Sequence, residues 1–119
     1  KSKLLFMDFQ FNNMKENTIT ILETNNKIET PNSFNNPIIK FGREDYNQND
    51  IQVSGSNAVS RRHCIIINTK DNVWLYDLES TGTEINDTIV TNKIPLIGHN
   101  KLRIKDIYFT LTTDKSKLL

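Results

Sequence analysis

Apolar and polar residues alternate with a period of two in several short stretches of the chain. The clearest of these are residues 18–22, 73–78 and 102–105. Two further stretches, 64–67 and 108–112, are rich in the β-branched and aromatic residues that favour strands. Period-two alternation is typical of a strand with one buried face. The pattern therefore predicts many short strands.

Polar segments separate these stretches and predict the turns between the strands. They are Glu23–Lys27, Glu44–Asp50, Lys70–Asn72, Ser80–Gly82 and Gly98–Asn100. No stretch of ten or more residues shows the 3.6-residue period of an amphipathic helix. Short strands spaced about 8–12 residues apart are typical of a sandwich or a barrel. We therefore expect an all-β fold.

Length and charge limit the kind of protein this is. The 119 residues are enough for one domain with one core. Fifteen Lys and Arg residues against fourteen Asp and Glu residues give a net charge of +1. That balance excludes a basic protein held on nucleic acid by its overall charge alone.

Cysteine usage and the termini give two further expectations. Cys64 is the single cysteine, which excludes an internal disulfide framework. Because the sequence has neither a membrane-length apolar run nor a recognisable signal peptide, we expect an intracellular protein. The pentapeptide Lys-Ser-Lys-Leu-Leu stands at 1–5 and again at 115–119. We expect these ends to be the edges of a longer polypeptide.

Three polar clusters interrupt the strand pattern with side chains that strands do not need. In the first, Gly42 allows a turn and Arg43 then offers guanidinium donors suited to phosphate or carboxylate. The second runs from Ser60 to His63 and combines a hydroxyl, two guanidiniums and an imidazole. The third, residues 77–86, is a hydroxyl-rich turn followed by a new strand. Each cluster alone is an ordinary loop, so their order and spacing carry the argument.

That order resembles the forkhead-associated (FHA) domain over about residues 18–113. The family pattern is Gly-Arg, then Ser-x-x-His, then Asp-x-x-Ser/Thr-x-Gly-Thr, then Asn three residues later. The matching residues are Gly42-Arg43, Ser60-Arg61-Arg62-His63, Asp77-Leu78-Glu79-Ser80-Thr81-Gly82-Thr83 and Asn86. The likeness is nearest to the FHA domains of checkpoint Ser/Thr kinases and mitotic-checkpoint RING ubiquitin ligases. It implies a single domain, an all-β, twisted antiparallel β-sandwich of the FHA/SMAD-like kind with its ligand loops at one end.

The resemblance also implies a phosphothreonine peptide as the ligand. Arg43 and Ser60 would grip the phosphate, and Arg61 would add a second positive contact. Ser80 stands where a hydroxyl commonly helps near the phosphothreonine. Thr81 occupies a position that is often Asn in the family, where the amide binds the peptide backbone, so altered anchoring is expected.

Other motif residues are expected to shape the loops. By resemblance, His63 braces the binding loop from beneath, and Asn86 holds the loop of residues 80–83. Gly42, Gly82 and Thr83 are assigned to loop structure as well. Ala58 stands two residues before Ser60, where it can face the third residue after the phosphothreonine, and its small apolar side chain favours a small or apolar residue there.

An enzyme alternative would use Ser60, His63 and Asp77 as a hydrolase triad. No Gly-x-Ser-x-Gly turn surrounds Ser60, and strand alternation should send Cys64 to the opposite face from His63. His63 and His99 are the two histidines and no second cysteine accompanies them, so no metal site is predicted. We expect a non-catalytic domain without metal or cofactor.

The sequence thus predicts a phosphothreonine-peptide recognition module within a larger signalling protein. By resemblance, that protein is a kinase or ubiquitin ligase of the DNA damage checkpoint type, located in the nucleus. The expected partner is a phosphothreonine-containing protein; neither nucleic acid nor membrane is expected, and the oligomeric state is left open. A phosphate-independent FHA-like scaffold or dimerisation domain is the alternative.

Overall fold

The computed structural model describes residues 17–55 and 58–116. Within them, eleven strands follow one another: β1 Ile19–Thr24, β2 Ser33–Phe34, β3 Ile38–Arg43, β4 Ile51–Val53, β5 Cys64–Asn68, β6 Val73–Asp77, β7 Glu84–Ile85, β8 Thr88–Ile89, β9 Lys93–Pro95, β10 His99–Ile104 and β11 Ile107–Thr113. The five stretches whose pattern predicted strands fall in β1, β5, β6, β10 and β11. The first copy of the repeated pentapeptide and the last three residues of the second lie outside the described residues.

The strands form two sheets that pack face to face. One sheet has the order β2-β1-β11-β10-β7-β8 and the other the order β4-β3-β5-β6-β9. The predicted all-β sandwich is confirmed. Its pairing is antiparallel except between β3 and β4, which run parallel. The loop of residues 44–50 turns back along β3, where the Asp50 amide donates to the Lys40 carbonyl at 2.9 Å, so that β4 begins beside Phe41 and runs in the same direction.

The core lies between the sheets and is built from alternate residues of the strands. Along β11, for example, Ile107, Phe109 and Leu111 are buried while the residues between them are half-exposed. Phe41 of the five-stranded sheet meets Phe109 edge to face, with 5.4 Å between the ring centroids. Such a contact is worth more than its buried area alone, and it fixes β3 against the opposite sheet.

Three loops meet at one end of the sandwich. They are residues 44–50 between β3 and β4, residues 58–63 before β5, and residues 78–83 between β6 and β7. Within residues 17–55 and 58–116, no helix is long and apolar enough to cross a membrane. The same residues contain no group of three or more His, Cys, Asp or Glu side chains placed to hold a metal ion.

Candidate functional site

The residues predicted to grip the ligand come together at this loop end. The Arg43 amide donates to the Ser60 carbonyl at 3.0 Å, which fixes the end of β3 to the β4–β5 loop. The Thr81 amide lies 3.3 Å from the Ser60 hydroxyl oxygen and donates to it. These two contacts join the end of β3 and two loops that are far apart in sequence, with Ser60 at the centre.

Gly42 lets two of these loops approach closely. A Cβ at this position would lie 1.8 Å from the Arg61 carbonyl oxygen and 2.4 Å from Asn49 Nδ2. The Asn49 side chain donates to the same Arg61 carbonyl at 2.7 Å. The missing side chain of Gly42 and the amide of Asn49 therefore hold the backbone beside Ser60, and the sequence analysis did not single out Asn49.

His63 lies beneath the site and connects two loops. The imidazole is fully buried. Its Nδ1 accepts a hydrogen bond from the Ser60 amide at 3.1 Å, and its Nε2 lies 2.7 Å from the Gly82 carbonyl, to which it donates. Burial lowers the pKa of His63, although the Gly82 bond and the nearby Asp77 carboxylate act in the opposite direction. A neutral ring with its proton on Nε2 satisfies both contacts.

The β6–β7 loop is held by the carboxylate of Asp77. It accepts hydrogen bonds from the Ser80 hydroxyl, from the Ser80 amide at 3.3 Å and from the Thr83 hydroxyl at 2.7 Å. Burial opposes ionisation of Asp77, but these bonds outweigh it and its pKa is lowered. The Gly82 amide in turn donates to the Ser80 hydroxyl at 3.1 Å. Ser80 therefore shapes the loop in this structure, which differs from the predicted contact with the ligand.

Thr81 is exposed at the tip of the same loop, but its hydroxyl points to the neighbouring loop. It donates to the carbonyl of Ala58, which is itself exposed beside the site. The Thr81 carbonyl accepts a hydrogen bond from Lys105 Nζ at 2.6 Å. The next residue, Gly82, has a backbone φ of 137°, which residues with a side chain rarely adopt. Lys105 belongs to the β10–β11 turn and was not predicted. The Thr81 hydroxyl thus joins two loops of the domain, whereas the residue at this position was expected to bind the peptide backbone.

Asn86 contributes to structure at a different place from the one predicted. Its Oδ1 accepts from the Lys101 amide at 2.8 Å, and its Nδ2 donates to Asn100 Oδ1 at 2.9 Å. With a φ of 51° it forms the β7–β8 turn and fixes that turn to β10. The expectation that Asn86 holds the loop of residues 80–83 was wrong, because Asn86 lies beyond β7, on the far side from that loop.

The guanidiniums of Arg43 and Arg61 both act on the carboxylate of Asp45. Arg43 Nε donates to Asp45 Oδ1 at 2.6 Å, and the Arg43 side chain is 18% exposed. The hydrogen bond from Arg43 lowers the pKa of Asp45, and the charge of Arg61 lowers it further. Both guanidiniums therefore act on the same small region, and the Asp45 carboxylate already occupies it.

The geometry does not support a hydrolase triad. His63 receives the backbone amide of Ser60 at Nδ1, while the Ser60 hydroxyl accepts from Thr81. The Asp77 carboxylate is bound to the hydroxyls of its own loop. Burial raises the pKa of the Cys64 thiol, which leaves it protonated and unsuited to act as a nucleophile.

Comparison with known families decides what kind of domain this is. The sequence model of the FHA domain matches residues 39–105. The chain belongs to the FHA domain family. The match contains all three polar clusters and most of the five-stranded sheet, so the predicted family membership is confirmed. A comparison with curated proteins finds no match.

Solved structures share the fold of this FHA domain at low sequence identity. The N-terminal FHA domain of Rad53 from S. cerevisiae, in complex with a phosphothreonine peptide, has a TM-score of 0.67 at 14% identity over 83% of this chain and 94% of its own. Mycobacterium tuberculosis EmbR, in complex with a low-affinity phosphopeptide, has 0.66 at 22% identity over 87% of this chain and 26% of its own. The FHA domain of CT664 from Chlamydia trachomatis has 0.65 at 20% identity over 82% and 96%. This chain thus spans about a quarter of the EmbR chain.

Proposed function

We propose that this domain binds phosphothreonine peptides and is itself non-catalytic. The observation that carries the proposal is the meeting of Arg43, Ser60 and Arg61 at one end of the sandwich, on loops fixed by the Arg43–Ser60 backbone bond. A phosphate group has a charge of about −1.5 to −2 and three acceptor oxygens. Guanidinium and hydroxyl donors on separate, fixed loops match that chemistry.

The binding step replaces one anion by another. Asp45 occupies Nε of Arg43, and a phosphate offers more charge and more acceptor oxygens than this carboxylate. Each charge-assisted hydrogen bond contributes roughly 1.5–3 kcal/mol. Two or three such bonds on a short peptide give an affinity on the order of micromolar.

Threonine would be preferred over serine because of its methyl group. Burying one methyl is worth about 0.8 kcal/mol, which is roughly a fourfold difference in affinity. The exposed Ala58 lies next to Ser60 and Thr81. A small apolar surface at this place favours a small or apolar residue three positions after the phosphothreonine.

The wider setting is part of the same proposal. The Rad53 and EmbR structures, which hold phosphopeptides, support a phosphorylated protein as the partner. We infer that the domain belongs to a larger signalling protein of the checkpoint kinase or ubiquitin ligase type, in the nucleus. Binding would then place that protein on targets already phosphorylated by another kinase.

An oriented phosphothreonine-peptide library, run beside its phosphoserine and unphosphorylated copies, tests the proposal. We expect binding to the phosphothreonine copies, with enrichment of small or apolar residues at the third following position. Binding that is indifferent to phosphate would favour the alternative, a phosphate-independent scaffold or dimerisation domain. Absence of binding to all three forms of the library would contradict both the proposed ligand class and the proposed site.

A further inference from the structure

The central strands of the two sheets differ in the chemistry of their outward positions, although the edge region of the six-stranded sheet exposes Leu22 on β1 and Ile89 on β8. On the six-stranded sheet, the outward residues of β10 and β11 are polar or charged: Lys101, Arg103, Tyr108, Thr110 and Thr112. On the five-stranded sheet, the apolar side chains at outward positions of β3, β5 and β6, with the residue after β6, form what we call the apolar face. It consists of Ile38, Ile65, Ile67, Trp74, Tyr76 and Leu78.

The apolar face is continuous across three strands. Ile67 pairs directly with Ile38 on one side and with Trp74 on the other, and Ile65 pairs with Tyr76. Ile38 is 49% exposed and Leu78 is 37% exposed. Contiguous exposed apolar surface of this kind marks interaction sites far more often than single exposed residues do.

A depression of about 280 Å³ opens on this face beside the phosphate-site loops. Ile38, Ile65 and Leu78 contribute its apolar lining, and Tyr46 and Arg62 form part of its rim. The Arg62 guanidinium donates to the Tyr46 hydroxyl through Nε at 3.1 Å and Nη2 at 2.8 Å. The depression therefore has an apolar floor and a fixed, positively charged side.

Three cations surround the face. Lys40 pairs with Ile65 across the sheet and lines the depression together with Arg62. Lys93 Nζ lies 4.6 Å from the centroid of the Trp74 ring. Among residues 17–55 and 58–116, the one ion pair is Arg43–Asp45, so none of these three cations forms an ion pair there. The nearest carboxylate to Lys40 in the hydrogen-bond network is that of Asp50, which accepts from the Lys40 backbone amide at 2.8 Å.

We propose that the apolar face docks an extended acidic and apolar segment of a protein partner. Its apolar side chains would lie on the sheet, and its carboxylates would meet Lys40, Arg62 and Lys93. An apolar centre with a charged rim is the usual composition of an interface, and the sign of the rim selects the partner. A second copy of this chain fits poorly, since a two-fold contact through this face would bring cations against cations. The docking requires no phosphate and is independent of the function proposed above.

Fluorescence anisotropy with the full 119-residue chain tests the docking. The probe is a labelled, unphosphorylated peptide that alternates Glu with Leu, and its controls carry Lys for Glu or Ser for Leu. We expect saturable binding of the Glu-Leu probe alone, with a change in the emission of the single tryptophan, Trp74. Replacing Lys40 and Arg62 together by Glu should weaken binding at least tenfold. The matched variant Lys101→Glu with Arg103→Glu makes the same charge change on the opposite face and should leave binding within twofold.

Several results would overturn the proposal. One is that the Glu-Leu probe does not bind, and another is that both charge-reversal variants lose probe affinity equally. Loss of probe affinity in Arg43→Ala would assign the probe to the phosphate site. A dimer that dissociates on Ile38→Ser would assign the face to a second copy. If the Lys40 and Arg62 variant fails to fold, a folded Ile38→Ser variant carries the same tenfold expectation.

Discussion

Replacing His63 with alanine removes the side chain that joins two of the site's loops. The ring is fully buried and bridges the Ser60 amide, at 3.1 Å, to the Gly82 carbonyl, at 2.7 Å. Alanine can make neither bond. We therefore expect the variant to lose stability first, and phosphopeptide affinity as a consequence.

The size of the loss follows from the contacts. Each of the two hydrogen bonds of His63 contributes roughly 1 kcal/mol net. The lost packing and the cavity left by the ring add about 1–2 kcal/mol. We expect the free energy of unfolding to fall by about 3–4 kcal/mol, which is a large share of the 5–15 kcal/mol that is typical of a domain.

Urea unfolding followed by circular dichroism measures this change. His99→Ala is the matched control, because His99 is the other histidine of the chain and its side chain is exposed. The control should change the free energy of unfolding by less than about 0.5 kcal/mol. Equal effects of the two substitutions would refute the bracing role of His63.

The pH dependence of stability gives an independent check. Burial holds the pKa of His63 below its ordinary value, which is about 6.5 in the unfolded chain. The unfolded chain then binds the proton more readily, so stability is complete above that pH and falls as the pH is lowered through it. Asp77 has a lowered pKa as well, but its contribution is lost only below about pH 4. The loss between pH 7 and 5 should be smaller in His63→Ala; an identical slope in both proteins would contradict the burial argument.

Two further substitutions test the loop contacts. Gly42→Ala would place a Cβ 1.8 Å from the Arg61 carbonyl, so thermal unfolding should show a loss of at least about 2 kcal/mol; an unchanged Tm would contradict the close approach. Asp45→Asn removes the carboxylate that competes for Arg43, so calorimetric titration should show phosphopeptide binding tightened severalfold. Glu44→Gln is its matched control, and an equal gain there would attribute the effect to net charge instead of to the ion pair.

Of the six strands with five or more residues, five were predicted from the sequence and β3, Ile38–Arg43, was not. β6 and β10 show the period of two because alternate residues of each are buried. In β1 the period covers only Ile19 and Ile21, which pack on the core, and it ends at a bulge between Ile21 and Glu23. β2, β4, β7, β8 and β9 have only two or three residues. A period cannot be recognised over that length. β2, β4, β7 and β9 each pair with a longer strand, and β8 pairs with β7.

The site was predictable as far as its motifs extend. The family resemblance implied that Arg43 and Ser60 would grip one phosphate; the structure joins them through a backbone hydrogen bond, and the grip on phosphate stays a prediction. Asn49 and Lys105 escaped notice because they act on backbone carbonyls 12 and 24 residues away, and neither belongs to a local pattern. The hydroxyl of Thr81 was expected to face the ligand, but another loop of the same chain satisfies it, which only the folded structure reveals.

Calorimetric titration of one phosphothreonine peptide selected from the library tests the central claim most directly. The phosphorylated and dephosphorylated forms are titrated into the wild type, Arg43→Ala and the control Arg103→Ala, whose arginine lies on β10. We predict micromolar binding of the phosphorylated form alone, a loss of about 2 kcal/mol or more in Arg43→Ala, and an unchanged affinity in Arg103→Ala. Equal affinity of wild type and Arg43→Ala for the phosphorylated peptide would contradict the account.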